Sequence, residues 1–369
     1  MNAFVKLLYS ILFASILFCG CSSKAKPPVA KSFTERADSI MATYPDFSGV
    51  VLLADKGNSI YHKTFGFRNF ETKTTLDTAS LFELASVSKQ FTAMIIMMLK
   101  EEGKLNYDDL VEKYIPHLPY PNITIRHLLN HTSGLPDYQA IMDAHWDKTK
   151  VANNNDIIEF LEKYHPEKLF VPNTKYEYSN TGYVLLASIA EKASGKDFIT
   201  MSQQQIFVPL KMTSTNIRSL EEKKGIENFA LGHIYVEEKK RFVRADSFPS
   251  SNYTIWLGNR KGPGRISSTA TDLLKWDQAL YTEQLVKKET LTEAFAPTKL
   301  KNDSISYYGF GWEIKDDGHT VLHTGDNPGY KTEIIRYIDQ NKTLVILCNN
   351  AYPGFQNIIN SLDSLLKNE

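Results

Sequence analysis

The run Ala93-Met94-Ile95-Ile96-Met97-Met98-Leu99-Lys100 is almost wholly apolar and contains neither Gly nor Pro. Such a run predicts a helix buried in a core, and it limits the folds open to the rest of the chain. With 369 residues and 42% apolar composition, there is enough chain to build that core in one large domain or two intimate ones. Upstream stands Leu84-Ala85-Ser86-Val87-Ser88-Lys89-Gln90-Phe91-Thr92. Ser86 and Lys89 are three apart, so on a helix they share one face. Ser86 is expected in the first turn, where free N–H groups and the positive end of the helix dipole favour developing negative charge. A hydroxyl beside a lysine at such a place suits an acylating nucleophile.

Spacing alone does not select Ser86. Ser-x-x-Lys also occurs at Ser23–Lys26, in a polar linker, and at Ser364–Lys367, near the C-terminus. Context distinguishes the three.

The N-terminal 21 residues read as a targeting segment. Lys6 is their only charge, and the apolar stretch Leu7 to Phe18 has the length of a signal h-region and is short for a membrane span. The sequence Phe18-Cys19-Gly20-Cys21-Ser22-Ser23 resembles a bacterial lipoprotein signal with cleavage after Gly20 and a lipid on Cys21. An uncleaved anchor and an ordinary secretory signal are the alternatives. The expected division is a signal peptide over 1–20, a lipidated cysteine and Pro-containing tether over 21–32, and a catalytic domain over 33–369. The expected location is the cell envelope, anchored by lipid to a bacterial membrane and facing the periplasm or exterior. Cys348 is then the only free thiol, in a strand-like run where it reads as a small buried hydrophobe. Basic and acidic residues balance at 42 each, which gives no reason to expect a nucleic-acid partner. No obligate protein partner is evident.

Helices are expected over 33–44, 270–280 and 355–367, and a β-hairpin from two strands flanking Asp55-Lys56-Gly57-Asn58. Residues 105–253 read as mainly helical and 307–348 as strands. Strands at both ends with helices between predict an α+β fold: a sheet built from both termini, carrying a mostly helical insertion. In these terms 33–85 and 297–369 form the α/β part and 86–296 the helical part.

Three further stretches carry chemistry or could. His127 and His131 have an i, i+4 spacing that could hold zinc, but Leu128 stands where zincins need Glu and no cluster completes a site. They read as packing or capping residues. In Tyr176-Glu177-Tyr178-Ser179-Asn180-Thr181-Gly182, Asn180 is expected to cap the following apolar helix, leaving the Tyr178 phenol on the loop before it. In His323-Thr324-Gly325-Asp326-Asn327-Pro328-Gly329, a strand ends in a glycine-rich turn. There Gly325 is expected to admit a substrate backbone, and the strand edge to offer N–H groups to an oxyanion.

Ser86-x-x-Lys89, Tyr178-x-Asn180 and His323-Thr324-Gly325, in that order, resemble the motifs of the penicillin-recognising serine hydrolases. Tyr at the head of the second motif resembles the branch that holds class C β-lactamases, DD-peptidases, D-aminopeptidases and related esterases. Framing stretches such as 123–135, 268–276 and Tyr308-Gly309-Phe310-Gly311-Trp312 look alike too, and the resemblance runs from about residue 33 to the C-terminus. It implies a β-lactamase/DD-peptidase-like fold: an antiparallel sheet flanked by helices, a mostly helical domain, and the site between them. It also implies Ser86 as nucleophile, Lys89 and Tyr178 as the proton-handling pair, and Asn180 as orienter of substrate and Lys89. His323 and Thr324 would form the opposite wall, and the N–H groups of Ser86 and Asp326 the oxyanion hole.

No cofactor or metal is implied. The substrate class is small peptides, amides or esters, with water the expected acceptor. His323 stands where β-lactam-destroying class C enzymes usually carry Lys, which turns the expectation toward peptidase or esterase activity. The Asp326 carboxylate is expected near the cleft mouth, opposing substrate carboxylates, unless it caps the turn that follows it. The rivals are a lipoprotein that binds penicillin or cell-wall peptides with little turnover, and a true class C-like β-lactamase.

Overall fold

The computed structural model describes residues 31–369. The proposed signal, Cys21 and most of the tether lie outside that range. The frame is a six-stranded antiparallel sheet drawn from both ends of the described chain. Its strands are β1 (Gly49–Asp55), β2 (Asn58–Phe65), β3 (Glu313–Ile314), β4 (Thr320–Asn327), β5 (Tyr330–Tyr337) and β6 (Lys342–Cys348). Their order across the sheet is β3-β4-β5-β6-β1-β2. β1 pairs with β6 along its whole length, Gly49 opposite Cys348 and Asp55 opposite Lys342. The expected hairpin forms around Lys56 and Gly57, both at positive φ (49° and 75°), as a tight turn between right-twisted strands requires.

Both faces of the sheet are buried, and alternate residues supply them. Val51, Leu53, Leu344, Ile346 and Cys348 meet helices α1 (Phe33–Met41) and α5 (Phe355–Lys367) on one side. Val50, Leu52, Val345 and Leu347 face the main core on the other. In that core lies α2 (Lys89–Glu101), the helix expected from the apolar run; of Lys89 to Met97 every residue is buried. Next to it pack α3 (Asn180–Ser194) and α4 (Ala270–Ala279). Cys348 is fully buried, its thiol pKa pushed up to about 11 by burial.

The stretch from 105 to 253 is not helical throughout. His233–Val236 and Arg241–Arg244 form a hairpin there, and Asn216–Ile217 pairs with Ile266–Ser268. The hairpin alternates poorly: Tyr235 is exposed while His233 is buried against the Phe70 ring, so its sequence carries little period-2 signal.

Helix α4 is tied to the sheet by a buried ion pair. Asp277 accepts from the Arg336 guanidinium and from Thr343 Oγ1 (2.6 Å), and neither charged side chain has any solvent exposure. Removing one partner would strand the other charge. Asp277→Ala is therefore expected to lower stability by about 3–5 kcal/mol. Urea denaturation measures this; a loss below ~1 kcal/mol would mean that the pair is not what anchors α4.

Candidate active site

Between Leu81 and Met97, Ser86 alone is not buried. It does not sit in the first turn of α2 as expected. A single 3₁₀ turn, Ala85–Ser88, precedes that helix, and Lys89 is the helix's first residue. Ala85 has φ of 48°, a left-handed backbone that costs a non-glycine residue about 1–2 kcal/mol. Bonds on either side hold it. The Leu84 amide donates to the Ile266 carbonyl (2.8 Å), Thr332 Oγ1 donates to the Leu84 carbonyl (2.8 Å), and the Ile266 amide donates to Ser88 Oγ (3.2 Å).

Gly325 permits a close approach within the protein itself. A Cβ there would lie 2.4 Å from the Leu84 carbonyl oxygen and 3.1 Å from Ala85 Cβ. The close approach is that of Thr332 on the neighbouring strand and of the protein's own nucleophile turn, pressed onto β4.

Lys89 is fully buried and its ammonium reaches three acceptors: Ser86 Oγ (3.1 Å), Asn180 Oδ1 (2.8 Å) and the Pro263 carbonyl (2.9 Å). Burial, with a smaller effect of the Arg260 charge, brings its pKa well below the ordinary lysine value. A neutral amine has two protons, and two of its neighbours are carbonyl oxygens that can only accept. The amine lone pair is then left to the Ser86 hydroxyl.

Asn180 is free for this because Ser179, not Asn180, caps α3: the Gly182 amide donates to Ser179 Oγ (3.2 Å). Tyr178 stands on the loop before the cap, as expected, with Lys89 Nζ 4.7 Å from its ring centroid. Part of the residue opens to the cleft (37% exposed). Burial of its surroundings nevertheless raises the phenol's pKa, only partly offset by the Ser86 hydroxyl, so the group carries its proton.

The two histidines of the zinc-like spacing serve separate backbone amides. His127 Nδ1 accepts from Thr124 N–H (3.1 Å), closing a capping box. His131 Nδ1 accepts from Ser179 N–H (3.1 Å), and its ring centroid lies 4.3 Å from that of Tyr178. His131 thus underlies the catalytic candidate. Its φ of 57° gives the only hint, invisible in the letters.

His323 is buried as well, and burial is the main reason its pKa is pushed down to about 3. Its Nδ1 lies 2.6 Å from the Thr324 carbonyl, which can only accept, so the proton sits on Nδ1. Nε2 then accepts from Tyr308 Oη at 2.8 Å. This wall is neutral.

Thr324 and Asp326 turn their side chains to the opposite face of β4 from His323 and Gly325. Both are exposed. Asp326 neither caps the turn nor stands as a lone charge at the cleft mouth: it ion-pairs with Lys331 on β5 (3.3 Å). That pairing offsets the repulsion expected toward substrate carboxylates. Its backbone, however, is placed for chemistry. Lys315 N–H donates to the Thr320 carbonyl, so even-numbered residues of β4 turn their polar groups toward β3. β3 pairs only with Val321 and Leu322, which leaves the Thr324 and Asp326 edge open beside the Ser86 turn.

Sequence reasoning missed Pro263, whose carbonyl holds Lys89, and Arg260, whose charge perturbs it. Arg260 Nη1 donates to Tyr138 Oη (2.7 Å), next to the Tyr138 amide that donates to Thr181 Oγ1. No motif marks either residue.

A Ser–Lys–Tyr cluster with an open strand edge, set between an antiparallel sheet and a helical region, defines a class: the penicillin-recognising serine hydrolases. The profile of the family described as Beta-lactamase matches residues 37–365, and the chain belongs to that family of serine hydrolases. It is 44% identical over 308 residues to penicillin-binding protein 4* of Bacillus subtilis, a match covering 82% of this chain and 68% of that protein. Protein flp of Staphylococcus aureus is 26% identical over 81% of this chain, which spans only 59% of flp's length. Among solved structures, a penicillin-binding protein from Bacillus halodurans superposes with a TM-score of 0.76 at 25% identity, over 89% of this chain and 98% of that one.

Proposed function

We propose that this protein is an exported, lipid-anchored serine hydrolase that forms an acyl-enzyme on Ser86 and acts on small peptides, amides or esters. The observation that carries the reading is the buried Lys89 amine, depressed in pKa and 3.1 Å from the Ser86 hydroxyl. In the acylation step Ser86 Oγ bonds to the substrate carbonyl carbon while its proton passes to Lys89 Nζ. The oxyanion lies between the N–H groups of Ser86 and Asp326. Collapse breaks the bond to the leaving amine or alcohol, which takes a proton relayed from Lys89 through the Tyr178 hydroxyl. Water then adds to the acyl carbon, its proton going to the same pair, and Ser86 leaves with a proton restored.

The neutral His323 favours amide or ester substrates without a carboxylate at this wall over β-lactams and D-Ala-D-Ala peptides, because it offers no cation to their carboxylates. A panel of nitrocefin, a D-Ala-D-Ala peptide, a D-amino acid anilide and a nitrophenyl ester tests this. Turnover of the ester or anilide above nitrocefin is expected. A stable penicillin adduct with no turnover of any substrate would favour a binding protein instead.

The anchor rests on Cys21 alone. Cys21→Ser is expected to move the mature protein from the membrane fraction to the soluble one with its activity unchanged. A cleaved variant that stays membrane-bound refutes the lipid anchor.

A further inference from the structure

In the reaction drawn above the leaving group lies beside Tyr178, which hands it a proton. The acyl half of the substrate extends the other way, past Asn180 and Asp326. Arg260 stands on that flank. It opens the stretch whose next residues hold the floor of the site: the Gly262 carbonyl accepts from Thr92 Oγ1 (2.7 Å), and the Pro263 carbonyl from Lys89 Nζ. Arg260 and Lys261 run to opposite ends of α3. Lys261 Nζ pairs with Glu191 and, at 3.1 Å, with Asp197, at the far end. Arg260 Nη1 donates to Tyr138 Oη (2.7 Å), and the Tyr138 amide donates to Thr181 Oγ1 (2.9 Å), next to Asn180 at the site end.

The guanidinium carbon lies 5.9 Å from the centroid of the Tyr253 ring. Its charge is felt at Lys89, Glu83 and Tyr253, and Tyr253 feels Asp326 as well. It is not among the charges acting on Tyr178 or His323. The cation therefore sits on the acyl flank of Ser86, opposite the neutral wall. The bond to Tyr138 is its only hydrogen bond among the described residues. Arg260 is part-buried; Nε is closed off without a partner, but Nη2 is not closed off. The acids of this flank are engaged elsewhere: Asp137 accepts from the Gln139 amide (3.0 Å), Asp143 pairs with Lys148 (3.1 Å) and Asp326 with Lys331. A partly desolvated cation without a counter-ion costs stability, and a substrate anion would remove that cost.

We propose that Arg260 determines specificity in the acyl half of the substrate, its Nη2 receiving an anionic group carried there. The preferred substrate then joins an acyl group bearing a carboxylate to a neutral leaving group. This rests on the acyl-enzyme reading of Ser86.

The test compares two 4-nitrophenyl esters on the full-length native protein. One is that of N-succinyl-D-phenylalanine; the other is the same ester with the succinyl carboxylate converted to its carboxamide. The kcat/KM ratio of acid to amide is expected to be at least ~10, and to fall within about threefold of unity in Arg260→Gln. A residue that merely held Tyr138 in place would depress both esters together. An unchanged ratio in Arg260→Gln thus overturns the proposal, as does a native ratio near unity. Should that variant not fold, the native protein answers alone. Its ratio should drop at least about threefold between ~0.01 and ~1 M salt, as the screening length contracts from about 30 to about 3 Å. A ratio indifferent to salt overturns the proposal equally. Turnover of neither ester, with no acyl adduct on Ser86 by mass spectrometry, fails the acyl-enzyme reading and the inference with it; turnover of both at equal rates fails the inference alone.

Discussion

Replacing Ser86 by alanine is expected to remove turnover and covalent labelling together, with kcat/KM falling by at least ~10⁴-fold, while Ser23→Ala and Ser364→Ala leave both intact. All three serines stand three residues before a lysine. Of the two that lie among the described residues, only Ser86 is set on a strained turn, with a buried amine against its hydroxyl and an open strand edge beside it. Deleting Oγ removes the acyl-enzyme route, and water held by the same groups is a poor substitute. The fold should survive, because Lys89, which bonds to Ser86 Oγ, keeps two other acceptors. Mass spectrometry after incubation with an acylating ester decides the matter. An adduct on any other residue sinks the assignment.

Lys89 should be nearly as sensitive. Lys89→Met keeps the volume and removes the base, for an expected loss of about 10²- to 10⁴-fold in kcat/KM. The pH profile gives the sharper reading. A lysine whose pKa is depressed by burial is neutral, and able to accept the Ser86 proton, above that lowered value. Activity of the native protein should therefore rise with pH through an acid limb placed below the ordinary lysine range of about 10.4. Lys89→Arg retains a cation that does not titrate, so its residual activity should be low and lack that limb. An Arg variant within tenfold of native activity, with the limb intact, would assign the base to another group.

What could be read from the letters was what depends on short stretches. The α5 boundaries follow from an amphipathic run without Gly or Pro, and the Lys56-Gly57 hairpin from its turn chemistry. The order of the Ser–Lys, Tyr–Asn and His–Thr–Gly motifs brought out the family. Contacts between distant stretches stayed hidden. The Pro263 carbonyl reaches Lys89 across 174 positions, and the His131 ring supports the Ser179 amide from 48 positions away. Neither a proline nor a histidine in a loop announces such a partner. Gly325 is singled out for close approach, but only three dimensions show that Thr332 and Leu84 crowd it. Asn180 is expected as cap as well as orienter, yet Ser179 takes the cap, because either side chain can cap a helix.

The pairing of β1 with β6 joins residues 49–55 to 342–348, so the sheet closes only after nearly the whole chain is present. The strand edge that would hold the oxyanion belongs to β4, which is braced through β5 by β6. A nascent chain thus carries Ser86 and Lys89 long before it has the edge they work against. Long-range closure of this kind slows folding relative to local helix formation. Hydrolytic competence therefore arrives only with the last strands, and a chain terminated before β4 would carry the serine and the lysine yet be inert.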